Sequence, residues 1–455
     1  MASSKTDWPF SDTRVALGLL GLALLVYLPS LGDSFLADDF VNLDFARHPP
    51  WPWKAFFDPT RAWSDPVTRS RFKPGYVFYL RLLEALLGDR PAGYHALSVV
   101  LHGLGGFALY RVVRGLYPAG SEPLLASVLY VTARVNGQVV VWASASYRLA
   151  SVLLALLALA SLDGPRRRVS VALCVTLFAL GLSMNPEVFV LWPALAALGL
   201  AERDHDRRRA RLLASFACAP VALAFAYANH RASQVFYELP VETVPDWSRL
   251  LLYLGNLVVP FQLGLRWKCV AVGALLALAL ATRDRRLHGA LLAVGAGALF
   301  WSVLTYPLTP RYLQLSSAFH AVVLARLFTV AGARLGRPRA AAAVLAAPWV
   351  LAGVAALEAR DLPHFHYLSR EGAGLLALRD EARRLGRPVT VRVLGRSTLD
   401  AQNRRFFHPE LRFTEGPEAP ERTVETGLPE ALRRFGPGIT RDYWFFPWFQ
   451  DRLRW

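Results

Sequence analysis

The chain has 455 residues, 54% of them hydrophobic, and a formal net charge of +17. Its mean hydropathy of +0.30 and its long uncharged stretches exclude an ordinary soluble globular protein. Much of the arginine falls in short clusters between apolar segments, as in the cytoplasmic loops of membrane proteins, so the positive charge does not indicate a nucleic-acid partner.

About eleven apolar segments are predicted to cross a membrane as helices, because only a helix satisfies its own backbone hydrogen bonds in hydrocarbon. The first segment, 15–31, follows Lys5 and Arg14 and is long enough to be a retained signal anchor. The predicted segments are 15–31, 94–113, 123–141, 148–162, 169–184, 187–201, 212–228, 267–281, 288–306, 312–331 and 340–357. We therefore expect an all-α polytopic membrane protein.

The arginine clusters orient these segments, because basic loops are retained on the cytoplasmic side. Every even-numbered segment is followed by such a cluster: Arg111/Arg114, Arg166–Arg168, Arg203–Arg211, Arg283–Arg286 and Arg334–Arg339. Residues 1–14 are therefore expected to be cytoplasmic. The long loops 32–93 and 229–266 are expected outside, the second holding an amphipathic piece from Leu250 to Leu265.

The same orientation separates a transmembrane domain from a C-terminal domain. We expect the transmembrane domain over 15–358 and a small extracytoplasmic domain over 359–455. In that tail a helical stretch (Ala373 to Leu385) precedes a strand-like run (Val389 to Leu394), which predicts an α/β fold. The arginines of the tail do not contradict this location, because long domains are translocated largely regardless of charge.

Two adjacent acids, Asp38 and Asp39, follow the first predicted helix where the chain leaves the membrane. An acid near a membrane interface is costly unless it is solvated, paired or functional. Both could be ordinary solvated loop residues. They also suit sugar transfer, which needs a base for an acceptor hydroxyl or a carboxylate beside the anomeric carbon.

Candidate cations lie on the same expected face. They are Arg71 and Lys73 in the first outer loop, Arg148 after the third segment and Arg311 before the tenth. Such side chains can neutralise a departing phosphate. The loop also carries several tryptophans and phenylalanines and an amphipathic stretch from Gly75 to Leu87, which is expected to lie along the interface.

Histidines provide weaker signals. His95 and His102 are seven residues apart on the second predicted helix and share one face. Metal binding there stays open, but packing and hydrogen bonding to neighbouring helices is the preferred interpretation. The run Asp204-His205-Asp206 stands among arginines in a predicted cytoplasmic loop and is interpreted as solvated.

These motifs together resemble the GT-C fold of polytopic glycosyltransferases that use polyprenyl-phosphate sugars. The resemblance is to the branch of protein O-mannosyltransferases and their tetratricopeptide-bearing relatives, without the repeats. Phe35 to Asp39 is similar to the acidic motif of the family's first outer loop, where it keeps its catalytic carboxylate. The run Arg71 to Pro74, followed by Leu86-Leu87-Gly88, is similar to later elements of that loop.

The resemblance continues along the chain to residue 331. Gly93 to Leu97 and Leu101-His102 are similar to the family's second helix, and Trp142 to Leu149 to the segment before the fourth. Pro310 to Leu313 is similar to a Glu-Arg-Tyr-Leu element.

Two departures stand against these matches. At Asn185-Pro186-Glu187 the family's acid is retained while its cation is missing. Asn136-Gly137-Gln138 replaces a His-x-Glu element, which weakens a metal-dependent version of the mechanism.

The resemblance implies transfer of a sugar from a polyprenyl-phosphate donor to a hydroxyl of a protein, lipid or glycan on the extracytoplasmic face of the plasma membrane. Asp38 or Asp39 would be the base, with Asp38 preferred, and Arg311 with Arg148 would bind the phosphate. The residues expected to bind substrate are Arg71, Lys73, His95, Arg148, Glu187, Arg311 and Tyr312. No metal ligand is assigned, although a divalent metal is left open.

Two other functions remain open. A lipid or glycan transporter or flippase could use the same basic outer cavity, but internal repeats and mid-helix acids are not evident and no nucleotide-binding motif is present. A scaffold without activity would account for the departures from the family pattern.

Overall fold

The computed structural model describes residues 11–36, 38–48, 72–164, 166–236, 247–258, 265–303 and 313–394. It also describes residues 404, 406–414, 420–426, 429–430 and 433–434. The helices are α1 (Asp12–Tyr27), α2 (Asp38–Arg47), α3 (Pro74–Leu87), α4 (Pro91–Leu116), α5 (Glu122–Val131), α6 (Gly137–Val141), α7 (Ser146–Ser161), α8 (Arg167–Met184), α9 (Leu191–Ala201), α10 (His205–Phe236), α11 (Trp247–Val258), α12 (Leu265–Ala281), α13 (Arg285–Val303), α14 (Gln314–Arg334), α15 (Pro338–Ala356) and α16 (Leu362–Leu385).

Each of the eleven predicted segments overlaps a helix or a helix pair, but eleven membrane spans are not shown. Within the described residues, seven helices are long and apolar enough to cross a membrane. The number rises to eight if the pair Glu122–Val131 and Arg134–Val141, bent by 48°, counts as one span. Two of the missing spans are short helices: α12 has 17 residues, and α9 has 11 because a 3-10 turn, Pro186–Val190, precedes it. The protein is thus an integral multi-pass membrane protein.

Helix α4 packs against α1, α5 and α7. Its glycines allow close approach, since a Cβ on Gly103 would stand 2.9 Å from a side-chain carbon of Leu20 on α1. Beside this crossing, the rings of Tyr27 and His102 meet edge to face at 5.5 Å. The core of the bundle is therefore fixed by small residues and aromatic contacts.

The ends of several helices are joined by buried ion pairs at one end of the bundle. The carboxylate of Glu202 accepts from Arg211 at 2.7 Å and from Arg286 at 2.6 Å, and Glu202 has no exposed side-chain surface. A second cluster joins Arg326 to Glu122 and Asp284, each at 2.7 Å. We call this end the basic face; it comprises residues 111–122, 163–164, 166–168, 201–211, 282–286 and 326–339.

The opposite end of the bundle carries α2 and α3. Helix α3 coincides with the amphipathic stretch predicted from Gly75 to Leu87. It buries Val77, Leu80 and Leu83 against the protein and exposes an apolar stripe formed by Phe78, Leu82 and Leu86. This stripe follows the i, i+4, i+8 spacing of one helix face, as expected for a helix lying along a membrane interface.

The C-terminal part forms a small parallel sheet on α16, which confirms an α/β fold at this end. The order is β2 (Leu411–Phe413), β1 (Val389–Leu394) and β3 (Arg422–Glu425), with β1 parallel to both neighbours. The predicted strand-like run is β1. The expected domain boundary after residue 358 falls in the π-helical turn Leu357–Asp361, which joins α15 to α16.

Helix α16 and the three-stranded sheet together form a cap that packs directly on α2. Phe40 of α2 meets Phe407 with ring centroids 4.9 Å apart. A Cβ on Gly372 of α16 would stand 2.4 Å from the carbonyl oxygen of Phe35, so glycine is required for this close approach. Arg379 of α16 binds Asp89 at 2.8 Å, and Asp89 also binds Arg47 of α2.

The ion network of the basic face predicts a dependence of stability on Glu202. Burial alone would raise the pKa of Glu202, but the hydrogen bond from Arg286 and the charge of Arg211 outweigh burial and lower it. An acid with a lowered pKa stabilises the fold above its ordinary pKa and loses that contribution as pH falls through its folded pKa. Glu202→Gln is expected to lower the free energy of unfolding at neutral pH by about 3–5 kcal/mol.

Unfolding of the purified protein in detergent between pH 3 and pH 8 measures this effect. The variant is expected to lose less stability than the wild type when the medium is acidified. Glu381→Gln is the matched control, because Glu381 pairs with the exposed Arg422 and such pairs contribute about 0–1 kcal/mol. Equal losses in the two variants would contradict a structural role for the network.

Candidate active site

The two predicted acids stand at the start of α2. Helix α2 begins at Asp38, whose side chain lies outside the described part of the chain. The carboxylate of Asp39 is 1% exposed and accepts the N–H of Leu36 at 2.8 Å and the N–H of Ser144 at 2.6 Å. Asp39 thus closes the turn before α2 and binds α2 to the 3-10 turn Ala143–Ala145, just before α7.

Polar and aromatic contacts join α2 to its neighbours. The hydroxyl of Tyr76 on α3 donates to the side-chain oxygen of Asn42 on α2 at 2.5 Å. The ring of Tyr76 lies 4.4 Å from that of Tyr147 in the first turn of α7, and Tyr79 donates to Ser146 at 3.0 Å. Three elements far apart in the sequence therefore meet beside the acidic motif.

Two of the predicted cations meet at the ring of Tyr147. The ammonium of Lys73 lies 5.5 Å from the ring centroid, and the guanidinium carbon of Arg148 lies 5.2 Å from it. Both distances fit cation–π contacts. Arg148 is 4% exposed, which makes it a largely desolvated charge. The fold thus brings together cations that are 75 residues apart in the chain.

Glu187 is fully buried and holds the start of α14. Its carboxylate accepts the N–H of Leu315 at 2.8 Å, in the first turn of α14. An acid at a helix N-terminus satisfies a free N–H and favours the helix dipole. Arg148 stands close enough for its charge to act on Glu187. Glu187 therefore links Arg148 to the segment that precedes α14.

Several residues near these groups had no distinct signal in the sequence. Tyr253 of α11 is 1% exposed and lies beside Ser316, Glu187 and Arg148. It falls within the amphipathic piece predicted from Leu250, where a tyrosine was indistinguishable from an interfacial anchor. Asn42 and Tyr147 likewise needed their tertiary partners to be recognised.

The buried acid Asp33 precedes the acidic motif and contacts the cap. Its carboxylate lies 2.8 Å from Nδ1 of His366 on α16. Burial raises the pKa of Asp33 to about 6, although the hydrogen bond and charge of His366 lower it. Because Asp33 is only five residues from Asp38, this contact ties the cap to the turn before α2.

The predicted histidines lie in the core. His95 has no exposed surface, the backbone of Asp33 and Ser34 lies beside it, and neither ring nitrogen is in good hydrogen-bonding geometry with a described residue. Nε2 of His102 contacts the carbonyl oxygen of Val131 at 3.0 Å. Among the described residues, no group of three or more His, Cys, Asp or Glu side chains could hold a metal ion.

The remaining predicted site residues, Arg71, Arg311 and Tyr312, lie outside the described residues. The run Asp204-His205-Asp206 stands at the basic face, where the carboxylate of Asp204 accepts the N–H of Arg207 at 2.9 Å and caps α10. All three residues of the run are exposed, as predicted for solvated residues, but His205 and Asp206 form the start of α10 and not a loop.

Comparison with solved structures places this architecture among known folds. No protein-family model matches the sequence, and no curated protein matches it. The crystal structure of ArnT from Cupriavidus metallidurans bound to undecaprenyl phosphate has a TM-score of 0.50 and 14% sequence identity, over 93% of this chain and 88% of that chain. ArnT in the apo state gives a TM-score of 0.50 and 14% identity, over 94% and 88%.

A third structure, the arabinofuranosyltransferase AftD from Mycobacteria, has a TM-score of 0.44 and 16% identity. It covers 85% of this chain and 30% of that one, which is too distant to carry an argument. At these identities the comparison with ArnT shows a shared fold, in agreement with the GT-C resemblance. It does not distinguish the protein O-mannosyltransferase branch.

The contacts of Asp39 predict a large structural effect of its removal. Asp39→Ala leaves the N–H groups of Leu36 and Ser144 buried without an acceptor, each at a cost of about 1–3 kcal/mol. The free energy of unfolding in detergent is expected to fall by about 2–5 kcal/mol. Asp39→Asn keeps one acceptor oxygen and is expected to lose less.

The control is Asp44→Ala on the same helix, because the Asp44 side chain pairs with the exposed His48 at 3.2 Å. Such a pair contributes about 0–1 kcal/mol. If Asp39→Ala and Asp44→Ala unfold alike, Asp39 does not hold α2 against the turn before α7.

Proposed function

We propose that the protein is a membrane glycosyltransferase that moves a sugar from a polyprenyl-phosphate carrier to an acceptor hydroxyl. The observation that carries the proposal is the meeting of Lys73 and Arg148 at the ring of Tyr147, beside the helix that begins with Asp38. The shared fold with ArnT, whose crystal structure holds undecaprenyl phosphate, supports the same carrier chemistry.

The proposal assigns different roles to the two acids. Each carboxylate oxygen of Asp39 accepts a hydrogen bond from a backbone N–H group. Asp39 therefore acts as a positioning residue that holds α2 in place. Asp38 is the general base, as the first residue of the helix that Asp39 positions. This division follows the sequence expectation that Asp38 is the preferred base.

The reaction is a displacement at the anomeric carbon. Asp38 takes the proton of the acceptor hydroxyl as the acceptor oxygen bonds to that carbon, and the bond to the phosphate oxygen breaks. The polyprenyl phosphate leaves with the electron pair. Arg148, Lys73 and Arg311 stabilise its charge, and Arg148 contributes most because it is desolvated. Each step uses side chains of this chain alone.

The remaining assignments follow from this site. Glu187 positions Arg148 and the start of α14, which follows Arg311 and Tyr312 directly in sequence. We infer that α2, α3 and the cap face the extracytoplasmic side of the plasma membrane, because the basic clusters share the opposite end of the bundle. Arg71, Tyr312 and His95 remain proposed contributors to substrate binding.

One observation favours a transporter as the alternative. The pair Glu122–Val131 and Arg134–Val141 is bent by 48°, and broken helices often mark the substrate site of transporters. The bend is held by a buried pair between Arg134 and Asp361 at 2.7 Å. A fixed bend of this kind is also compatible with an enzyme. A sugar-transfer assay is therefore needed to distinguish the two functions.

Asp38→Asn is expected to reduce sugar transfer by at least about 100-fold, because the general base is lost. The measurement is transfer of label from a panel of polyprenyl-phosphate sugars by the purified protein. Asp44→Asn, on the same helix, is the matched control and is expected to keep full activity. Full activity of Asp38→Asn would remove this residue as the base, and a wild type inactive on every donor would favour transport.

Arg148→Lys keeps the charge but removes the planar pair of donors that suits phosphate. We expect kcat/KM for the lipid donor to fall by about 10- to 100-fold, the loss of one charge-assisted hydrogen bond. Arg370→Lys, an exposed arginine on the cap that contacts Tyr367, is expected to leave kcat/KM unchanged. If kcat/KM of Arg148→Lys equals that of the wild type, other cations bind the phosphate.

A further inference from the structure

A second charged cavity lies at the basic face, at the other end of the bundle from the proposed active site. Its volume is about 360 Å³, and it is bounded by the end of α9, the turn between α12 and α13, and α14. Five arginines line it: Arg203, Arg283, Arg285, Arg286 and Arg326. The proposed glycosyltransferase chemistry uses none of them.

Two of these arginines are already neutralised. Arg286 binds Glu202 at 2.6 Å and also donates to the carbonyl oxygen of Leu116. Arg326 binds Glu122 and Asp284, each at 2.7 Å. These pairs form the wall of the cavity and hold α5, α9, α13 and α14 together around it.

The other three arginines have no such neutralisation. Arg203, Arg283 and Arg285 are exposed, and their guanidinium groups have no ion-pair partner among the described residues. Asp284 is the one acid among the described residues of the lining, and Arg326 binds it. The rim of the cavity therefore carries an excess of positive charge that faces a concave space.

The backbone at Arg283 adds an independent observation. Its φ is 53°, and it is the one non-glycine residue with positive φ among the described residues. A side chain in this region is strained, and glycine would remove the strain. Strained residues cluster at ligand sites. The chain therefore has an arginine at a position whose backbone conformation favours glycine.

Retention of basic loops on the cytoplasmic side requires only charge, not a cavity. Arg337 and Arg339 lie on the same face, are exposed and do not line the cavity. They satisfy the orientation rule as well as Arg203 and Arg285 do. The concave arrangement of the three unneutralised arginines therefore needs a separate reason.

We propose that this cavity binds a phosphate group. Guanidinium groups match phosphate oxygens through paired N–H donors. Basic pockets between membrane helices, at the cytoplasmic end of the bundle, bind the phosphate headgroups of anionic lipids. A headgroup of the adjoining leaflet and a soluble phosphate compound present the same chemistry to the three arginines.

The test uses the full chain, purified in detergent and stripped of lipid. The first arm adds micelles that contain phosphatidylglycerol or, for comparison, phosphatidylcholine, and counts bound lipids by native mass spectrometry. The second arm measures thermal stabilisation by inorganic phosphate and by glycerol phosphate. The variant is Arg203→Gln/Arg285→Gln, and the matched control is Arg337→Gln/Arg339→Gln, which removes the same charge from the same face.

Wild type and control are expected to bind phosphatidylglycerol in preference to phosphatidylcholine. The Arg203→Gln/Arg285→Gln variant is expected to bind it at least about 5-fold more weakly for each arginine removed. Preference for the lipid identifies a headgroup site, and stabilisation by soluble phosphate that the variant loses identifies a soluble ligand; both support the proposal. Equal binding by variant and control, or no response to any phosphate compound, overturns it. Basal unfolding of the two double variants should agree, since all four arginines are exposed.

Discussion

Buried carboxylates that accept backbone N–H groups at helix breaks are the interaction on which the architecture of the site depends. In a membrane protein a buried N–H without an acceptor costs several kcal/mol, so an interrupted helix needs a local partner for its free donors. Asp39 supplies oxygens to Leu36 and Ser144, and Glu187 supplies one to Leu315. Each carboxylate thereby joins two parts of the chain that are more than 100 residues apart.

These junctions shape the end of the bundle that carries α2 and α3. Interrupted helices allow short turns to enter the bundle; Asp39 holds the turn before α7, and Glu187 holds the first turn of α14. Arg148, in the first turn of α7, becomes buried beside Tyr147 as a consequence. The cap on α2 closes this end, with glycine at position 372 permitting the approach of α16 to the backbone of Phe35.

The two ends of the bundle use charge differently. At the basic face, acids and arginines pair across helix ends and stabilise the packing, while three arginines remain unneutralised around a cavity. At the end that carries α2 and α3, Lys73 and Arg148 contact the aromatic ring of Tyr147. Arginine therefore serves packing through ion pairs at the basic face and contacts an aromatic ring at the opposite end.

The sequence by itself determined the membrane class, the positions of the helical segments, the amphipathic α3 and the strand β1, because apolar length and periodicity are local properties. It also predicted a site that contains the acidic motif and the cations Lys73 and Arg148. It did not determine the number of spans, since α9 is shortened by a 3-10 turn at Pro186 and the span that starts at Glu122 is bent. Tertiary structure alone decided the surroundings of Lys73, Arg148 and Glu187. It also decided which backbone groups Asp39 binds and which cations Tyr147 contacts. The physical reason is that burial and hydrogen-bond partners arise from contacts between residues tens to hundreds of positions apart, which no local pattern records.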